Sequence, residues 1–213
     1  AQTNVEFVRE NFPEKGQYRE AMGYLNDAEK ILQDDYPNYL EAIALYQKAY
    51  KINPNNALLN YKIGYCIYSS RLQRSSSLEY FEKAYKLKAD VTPELLYYLG
   101  IAYQLTYQFD KAMDFYRKYL TSITGKVLTD RSPDVYKRIN ECENGKILIK
   151  NEERVFIDNI GMEINSLFDE YGPVITADES VLMFTSKRPL TETQKTEKGE
   201  FFENIYFSNR KSK

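Results

Sequence analysis

The sequence predicts a mainly α fold: an α-solenoid of three helix pairs closed by a capping helix, followed by a small β segment. Three observations carry this reading. Gly64, in Tyr61-Lys62-Ile63-Gly64-Tyr65-Cys66-Ile67-Tyr68, and Gly100, in Tyr97-Tyr98-Leu99-Gly100-Ile101-Ala102-Tyr103, stand 36 residues apart in similar surroundings. Each is followed by a second helical pattern, at Leu78–Ala84 and Lys111–Arg117. A fixed period in the thirties, with two short amphipathic helices per unit, marks a stacked array, because one such unit cannot bury its apolar face alone. Beyond Asn151 the helical period gives way to short alternating runs with turn residues between them, the pattern of strands.

Taken in order, residues 1–17 are a lead-in with one helical turn, containing Phe7-Val8 and Phe12-Pro13. Residues 18–150 hold the helices. In Tyr18–Asp34, Met22, Leu25, Ala28, Ile31 and Leu32 share one face. Tyr36-Pro37-Asn38 breaks that helix, and Tyr39–Ile52 is its partner, ended by Asn53-Pro54-Asn55. Ala57–Ser69 and Ser76–Leu87 form the second pair. The third is Pro93–Leu105 with Asp110–Ser122, started by the cap-then-proline run Thr92-Pro93-Glu94. Thr124–Asp130 reads as a loop, and Ser132-Pro133-Asp134 as the start of a capping helix that runs to Lys146 through Val135, Ile139 and Cys142. In residues 151–213, strands are expected at Val155-Phe156-Ile157, on both sides of the turn Ala177–Ser180, and at Phe201–Ser208. Leu190–Gly199 is polar and reads as a loop or hairpin tip.

The helical region resembles the tetratricopeptide repeat (TPR), on Ala28, Ala42, Tyr46, Ala49 and Pro54 in the first unit, Gly64, Phe81 and Ala84 in the second, and Gly100, Tyr103, Ala112 and Tyr116 in the third. Small residues at these places let two helix backbones approach. Ile67 stands where the pattern has an aromatic, and Tyr119 where it has Ala.

The second region resembles one PD40-type β-propeller repeat, on Ile164-Asn165-Ser166, Asp169-Glu170-Tyr171, Pro173-Val174-Ile175, Ala177-Asp178, Leu182–Arg188 and Glu203–Tyr206. Together the two resemble envelope proteins of Bacteroidetes in which TPR repeats precede a propeller and an OmpA-like peptidoglycan-binding domain, among them a type IX secretion component. The resemblance implies a periplasmic, outer-membrane-associated parent protein. About one blade is present, and no residue here matches the peptidoglycan-anchoring motif of such proteins. Ala1-Gln2-Thr3 suits a mature chain after signal-peptide removal, and equally a chain cut for expression.

Composition narrows the function. With 29 basic and 31 acidic side chains the net charge is −2, which argues against a nucleic-acid surface. No apolar run is long enough to form a spanning helix. Histidine is absent, so His-based triads and the commonest metal ligand are absent with it. Cys66 and Cys142 fall on different units, beyond the roughly 7 Å a disulfide spans, and read as separate buried thiols. Gly125-Lys126 lacks a phosphate-cradling loop, and Asp34-Asp35 and Asp169-Glu170 read as solvated carboxylates. Asn165, Ser166, Asp178, Thr185 and Ser186 read as residues that fix turns and strand ends. No catalytic, cofactor or metal residue is assigned.

The 20 tyrosines are the feature to explain. TPR grooves are lined mainly by first-helix residues, so the resemblance puts Tyr61, Tyr65, Tyr68, Tyr97, Ile101 and Gln104 on a groove that would hold a protein partner. The alternative for the same residues is packing between helices. Two other functions compete with a non-enzymatic scaffold: a fragment of an envelope enzyme whose active site lies elsewhere in the parent, and a co-chaperone that clamps a carboxylate. The clamp needs Lys, Arg and Asn where this chain has Leu25, Glu29, Tyr61 and Tyr65.

Overall fold

The computed structural model describes residues 3–151, 153, 155–166, 168–190 and 201–210. The chain divides into two compact units, residues 1–152 and 153–213.

The first unit is seven helices: α1 (Lys15–Leu32), α2 (Tyr39–Ile52), α3 (Ala57–Ser69), α4 (Ser77–Leu87), α5 (Glu94–Leu105), α6 (Phe109–Ser122) and α7 (Gly125–Lys150). A single 3-10 turn, Arg9–Asn11, precedes them. Asparagine side chains start two of the helices. Asn38 accepts from the Glu41 amide at 3.2 Å, and Asn56 from the Leu59 amide at 2.8 Å. Each satisfies a donor that the first turn leaves without an intrahelical partner.

Within the second and third pairs a glycine meets a ring. A Cβ placed on Gly64 would lie 2.7 Å from the Phe81 ring, and one on Gly100 would lie 2.4 Å from Tyr116. Both distances are far inside van der Waals contact, so these two positions admit no side chain while the rings stay. Ala49, Gly64, Ala84, Gly100 and Ala112 are all buried, as the repeat pattern requires. The buried side chains form two groups. One joins α1, α2 and α3 through Ala28, Tyr46, Ile63 and Cys66; the other joins α4 to α7 through Phe81, Leu99, Tyr116, Val135 and Cys142.

The fourth segment departs from expectation. Thr124–Asp130 is not a loop: α7 begins at Gly125 and continues through Pro133 for 26 residues. Leu128, Val135, Ile139 and Cys142 fall on one stripe, and all pack on the second buried group. That continuous stripe outweighs the one backbone hydrogen bond Pro133 cannot donate. The helix caps the array as predicted, but it is longer. Tyr119, where the repeat pattern has Ala, is buried with its ring 5.4 Å from Tyr97.

The second unit is an antiparallel sheet in the order β1 (Glu170–Ile175), β2 (Val181–Ser186), β3 (Asn204–Asn209). Pro173 lacks an amide hydrogen and is tolerated because β1 is an edge strand. The register of β1 slips between Tyr171 and Val174, where Gly172 takes φ +62°. Val155-Phe156-Ile157 is not a strand: the backbone there is irregular and all three side chains are exposed. The expected loop at Leu190–Gly199 lies, after Leu190, outside the described residues. On one face of the sheet, Phe184 is buried under the Arg188 guanidinium and stacks 5.9 Å from Tyr206. On the other face Val174, Met183, Phe207, Tyr171 and Ile205 are exposed.

Candidate functional site

Spacings of four and three put Tyr61, Tyr65 and Tyr68 on one face of α3. All three are half-buried, and all three converge on one ring of α5, Tyr98. The centroid distances from Tyr98 are 6.1 Å to Tyr61, 5.4 Å to Tyr65, 5.6 Å to Tyr68 and 5.5 Å to Tyr97. Tyr98 is itself stacked on Phe81 at 5.7 Å. A chain of causes therefore runs from Gly64, which admits Phe81, to Phe81, which supports Tyr98, to Tyr98, which gathers the tyrosines.

Guanidinium groups border this aromatic face. Arg74 lies over Tyr68 at 5.1 Å, and Arg131 and Arg138 lie over Tyr97 at 5.9 and 5.4 Å. The Tyr97 hydroxyl donates to Asp134 at 2.6 Å and accepts from Arg138 at 3.0 Å. Burial, aided by the hydrogen bond to Asp134, pushes the Tyr97 phenol up to about 12. Burial also raises the phenols of Tyr61 and Tyr98. These three hydroxyls stay protonated at neutral pH and serve as hydrogen-bonding groups, not as bases.

Of the six residues read from the sequence, the tyrosines Tyr61, Tyr65, Tyr68 and Tyr97 come together on this face. Gln104 lies at its edge, accepting from Tyr116 at 2.7 Å and donating to Glu141 at 3.1 Å. Ile101 does not line a surface: at 3% exposure it belongs to the buried group. α5 carries the buried stripe Leu95, Leu99 and Ala102, and Ile101 is drawn into it.

Tyr98, the hub, is not marked by the repeat spacing. Equivalent positions stand 36 residues apart, but a set of contacts between stacked first helices runs one residue further. Tyr61–Tyr98, Tyr97–Asp134 and Gln104–Glu141 are each 37 apart. An aromatic one residue past the repeat period was the available signal.

The other polar candidates have structural partners. Glu170 pairs with Arg188 at 3.1 Å, and a hydrogen bond from Ser166 holds its carboxyl below the usual range. Asp178 accepts from Thr176 at 2.7 Å and from Ser180 at 2.8 Å. Cys66 and Cys142 are free and buried, and burial pushes their thiols up to about 12 and about 11. Among the described residues no acidic or cysteine cluster is placed to hold a metal ion, and no helix is long and apolar enough to cross a membrane.

No protein-family model and no curated protein matches the chain. Among solved structures, MamA is similar at 19% identity and a TM-score of 0.50, over 64% of this chain and 69% of MamA. The first TPR of Spaghetti (RPAP3), bound to the HSP90 peptide SRMEEVD, is similar at 16% identity and a TM-score of 0.48, over 61% of this chain and 95% of that one. The Yersinia enterocolitica type III secretion chaperone SycD, in complex with a peptide of the translocator YopD, is similar at 11% and 0.48, over 59% and 93%. The likeness to MamA is one of fold. With the glycine–ring contacts above, the first unit is a TPR-type α-solenoid, followed by a small antiparallel sheet.

Proposed function

We propose that this chain is a non-enzymatic protein–protein interaction scaffold, and that a partner segment docks across Tyr61, Tyr65, Tyr68, Tyr97 and Tyr98. One observation carries the reading: five partly buried phenol rings from two helices meet in tilted and edge-to-face contacts around Tyr98. Phenols offer rigid apolar area with a polar tip, the chemistry favoured at the centre of interfaces. Ile101 acts beneath this face as packing, and Gln104 at its rim. The resemblance of the sheet unit to a propeller repeat is what supports a parent protein in the bacterial envelope. There it would be periplasmic and outer-membrane-associated, in a secretion or peptidoglycan-associated assembly.

The test is capture of partners from an envelope fraction by the intact chain and by Tyr65→Ala/Tyr68→Ala, with a thermal melt of each. These two rings are chosen because Tyr97 also holds Asp134 and Arg138. Truncating such anchors should weaken capture by about 1–3 kcal/mol per ring. Unchanged capture by a still-folded double variant would return the tyrosines to inter-helix packing. Capture from cytosolic fractions alone would remove the envelope reading.

A further inference from the structure

The turn between α2 and α3 holds an extended strand of the chain's own N-terminal region. The Val5 amide donates to the Asn55 carbonyl at 2.8 Å. The Val5 carbonyl accepts from two side-chain amides, Asn53 and Asn56, each at 2.9 Å. Asn4 accepts from the Ala57 amide, the first of α3, at 2.8 Å. Glu6 lies 3.6 Å from the Lys88 ammonium and 3.4 Å from Asn56. Phe7 then packs on the first buried group and stacks on Phe12 at 5.6 Å.

The two sides of this contact differ in burial. None of residues 4–8 is buried, whereas Asn53 and Asn56 are only 5% and 3% exposed. Two buried amides therefore point at a single acceptor supplied by a superficial strand. If that strand leaves, both amides lose the Val5 carbonyl and exchange it for water. A backbone carbonyl of another extended segment, placed as that of Val5 is, would pair with both amides again. Beside the strand lies a groove of about 360 Å³, lined by Glu6, Phe7 and Val8 together with Met22, Leu25 and Leu58. The Glu29–Lys62 ion pair lies in that groove.

We propose that the α2–α3 turn is a binding site for an extended peptide carrying an Asn-apolar-Glu-aromatic run. Residues Asn4-Val5-Glu6-Phe7 fill it in cis and are exchanged for a partner segment of the same chemistry. Specificity comes from main-chain pairing at the apolar residue, a carboxylate for Lys88 and an aromatic for the groove. The site is separate from the tyrosine face and stands whether or not that face binds a partner.

The experiment uses a fluorescent peptide of residues 3–12 and three proteins: the full chain, the chain lacking residues 1–8, and that shortened chain with Asn53→Ala. The shortened chain should bind the peptide saturably. The full chain should bind it at least roughly tenfold more weakly, because its tethered strand competes at high effective concentration. Asn53→Ala should abolish most of the binding. Equal binding by the full chain, or none by a shortened chain that keeps its helical circular dichroism, would overturn the proposal. If the shortened chain does not fold, hydrogen exchange on the full chain decides. Excess peptide should speed exchange of the Val5 amide and leave the α3 amides unchanged. A Val5 amide that exchanges only with global unfolding, with or without peptide, would likewise overturn it.

Discussion

In the helical unit two core rings each have a glycine facing them: Phe81 against Gly64, Tyr116 against Gly100. In the sheet unit Phe184 is the only buried hydrophobic side chain among the described residues, and Ile205 and Phe207 are 80% and 71% exposed. Both units have well-formed backbone hydrogen bonding. They differ in layers. Helix pairs stack on their neighbours and bury both sides of each interface, whereas three strands alone can cover one face only. A hydrogen-bonded sheet is thus no guarantee of a core, and a modest array of short helices can have one throughout.

The sharpest way to break this comparison is to remove one ring from each unit. Phe81→Ala should cost about 3–5 kcal/mol in denaturant unfolding, since it empties the space beside Gly64 and removes the support of Tyr98. Phe207→Ala should change stability by no more than about 0.5 kcal/mol. Similar costs for the two would mean that the sheet face is covered in solution.

Next in size is Gly100→Leu. The added side chain meets Tyr116, and overpacking should destabilise by about 1–3 kcal/mol. The contrast within the same unit is Gly23→Ala. Gly23 lies on the exposed face of α1 with no atom within 4 Å of a new Cβ. There Ala should stabilise by about 0.5–1 kcal/mol through helix propensity. A stability scan of both variants reads the opposite signs directly; the same sign for both would mean that propensity, not close approach, governs the glycines.

The smallest effect is in the sheet unit. Hydrogen bonds from Thr176 and Ser180 lower the Asp178 carboxyl to about 2. A depressed folded value means that the turn gains support above the ordinary carboxylate range and loses it as pH falls through about 2. Carboxyl titration by NMR should give that low value. Thr176→Val should raise it, and an unmoved value would show that the hydroxyl does not hold the turn.

The repeat was legible in the sequence because its physics is local. Gly64 and Gly100 with their following ring residues, the proline-bearing breaks between helices, and the apolar stripe of each helix all lie within a few turns of one another along the chain. The alternation of β2 and the turn at Asp178 were legible for the same reason. The structure alone revealed what depends on non-neighbours. It carried α7 through Pro133, because a stripe from Leu128 to Cys142 had a surface to cover. It gave Val155–Ile157 an irregular backbone with exposed side chains. It buried Ile101 and made Tyr98 the hub, because stacking α5 on α3 sets Tyr98 among Tyr61, Tyr65 and Tyr68. It also laid Asn4–Phe7 on the α2–α3 turn. No period or propensity in those residues marks that pairing, since the donors that hold them lie about fifty residues away on side chains that only the folded turn brings together.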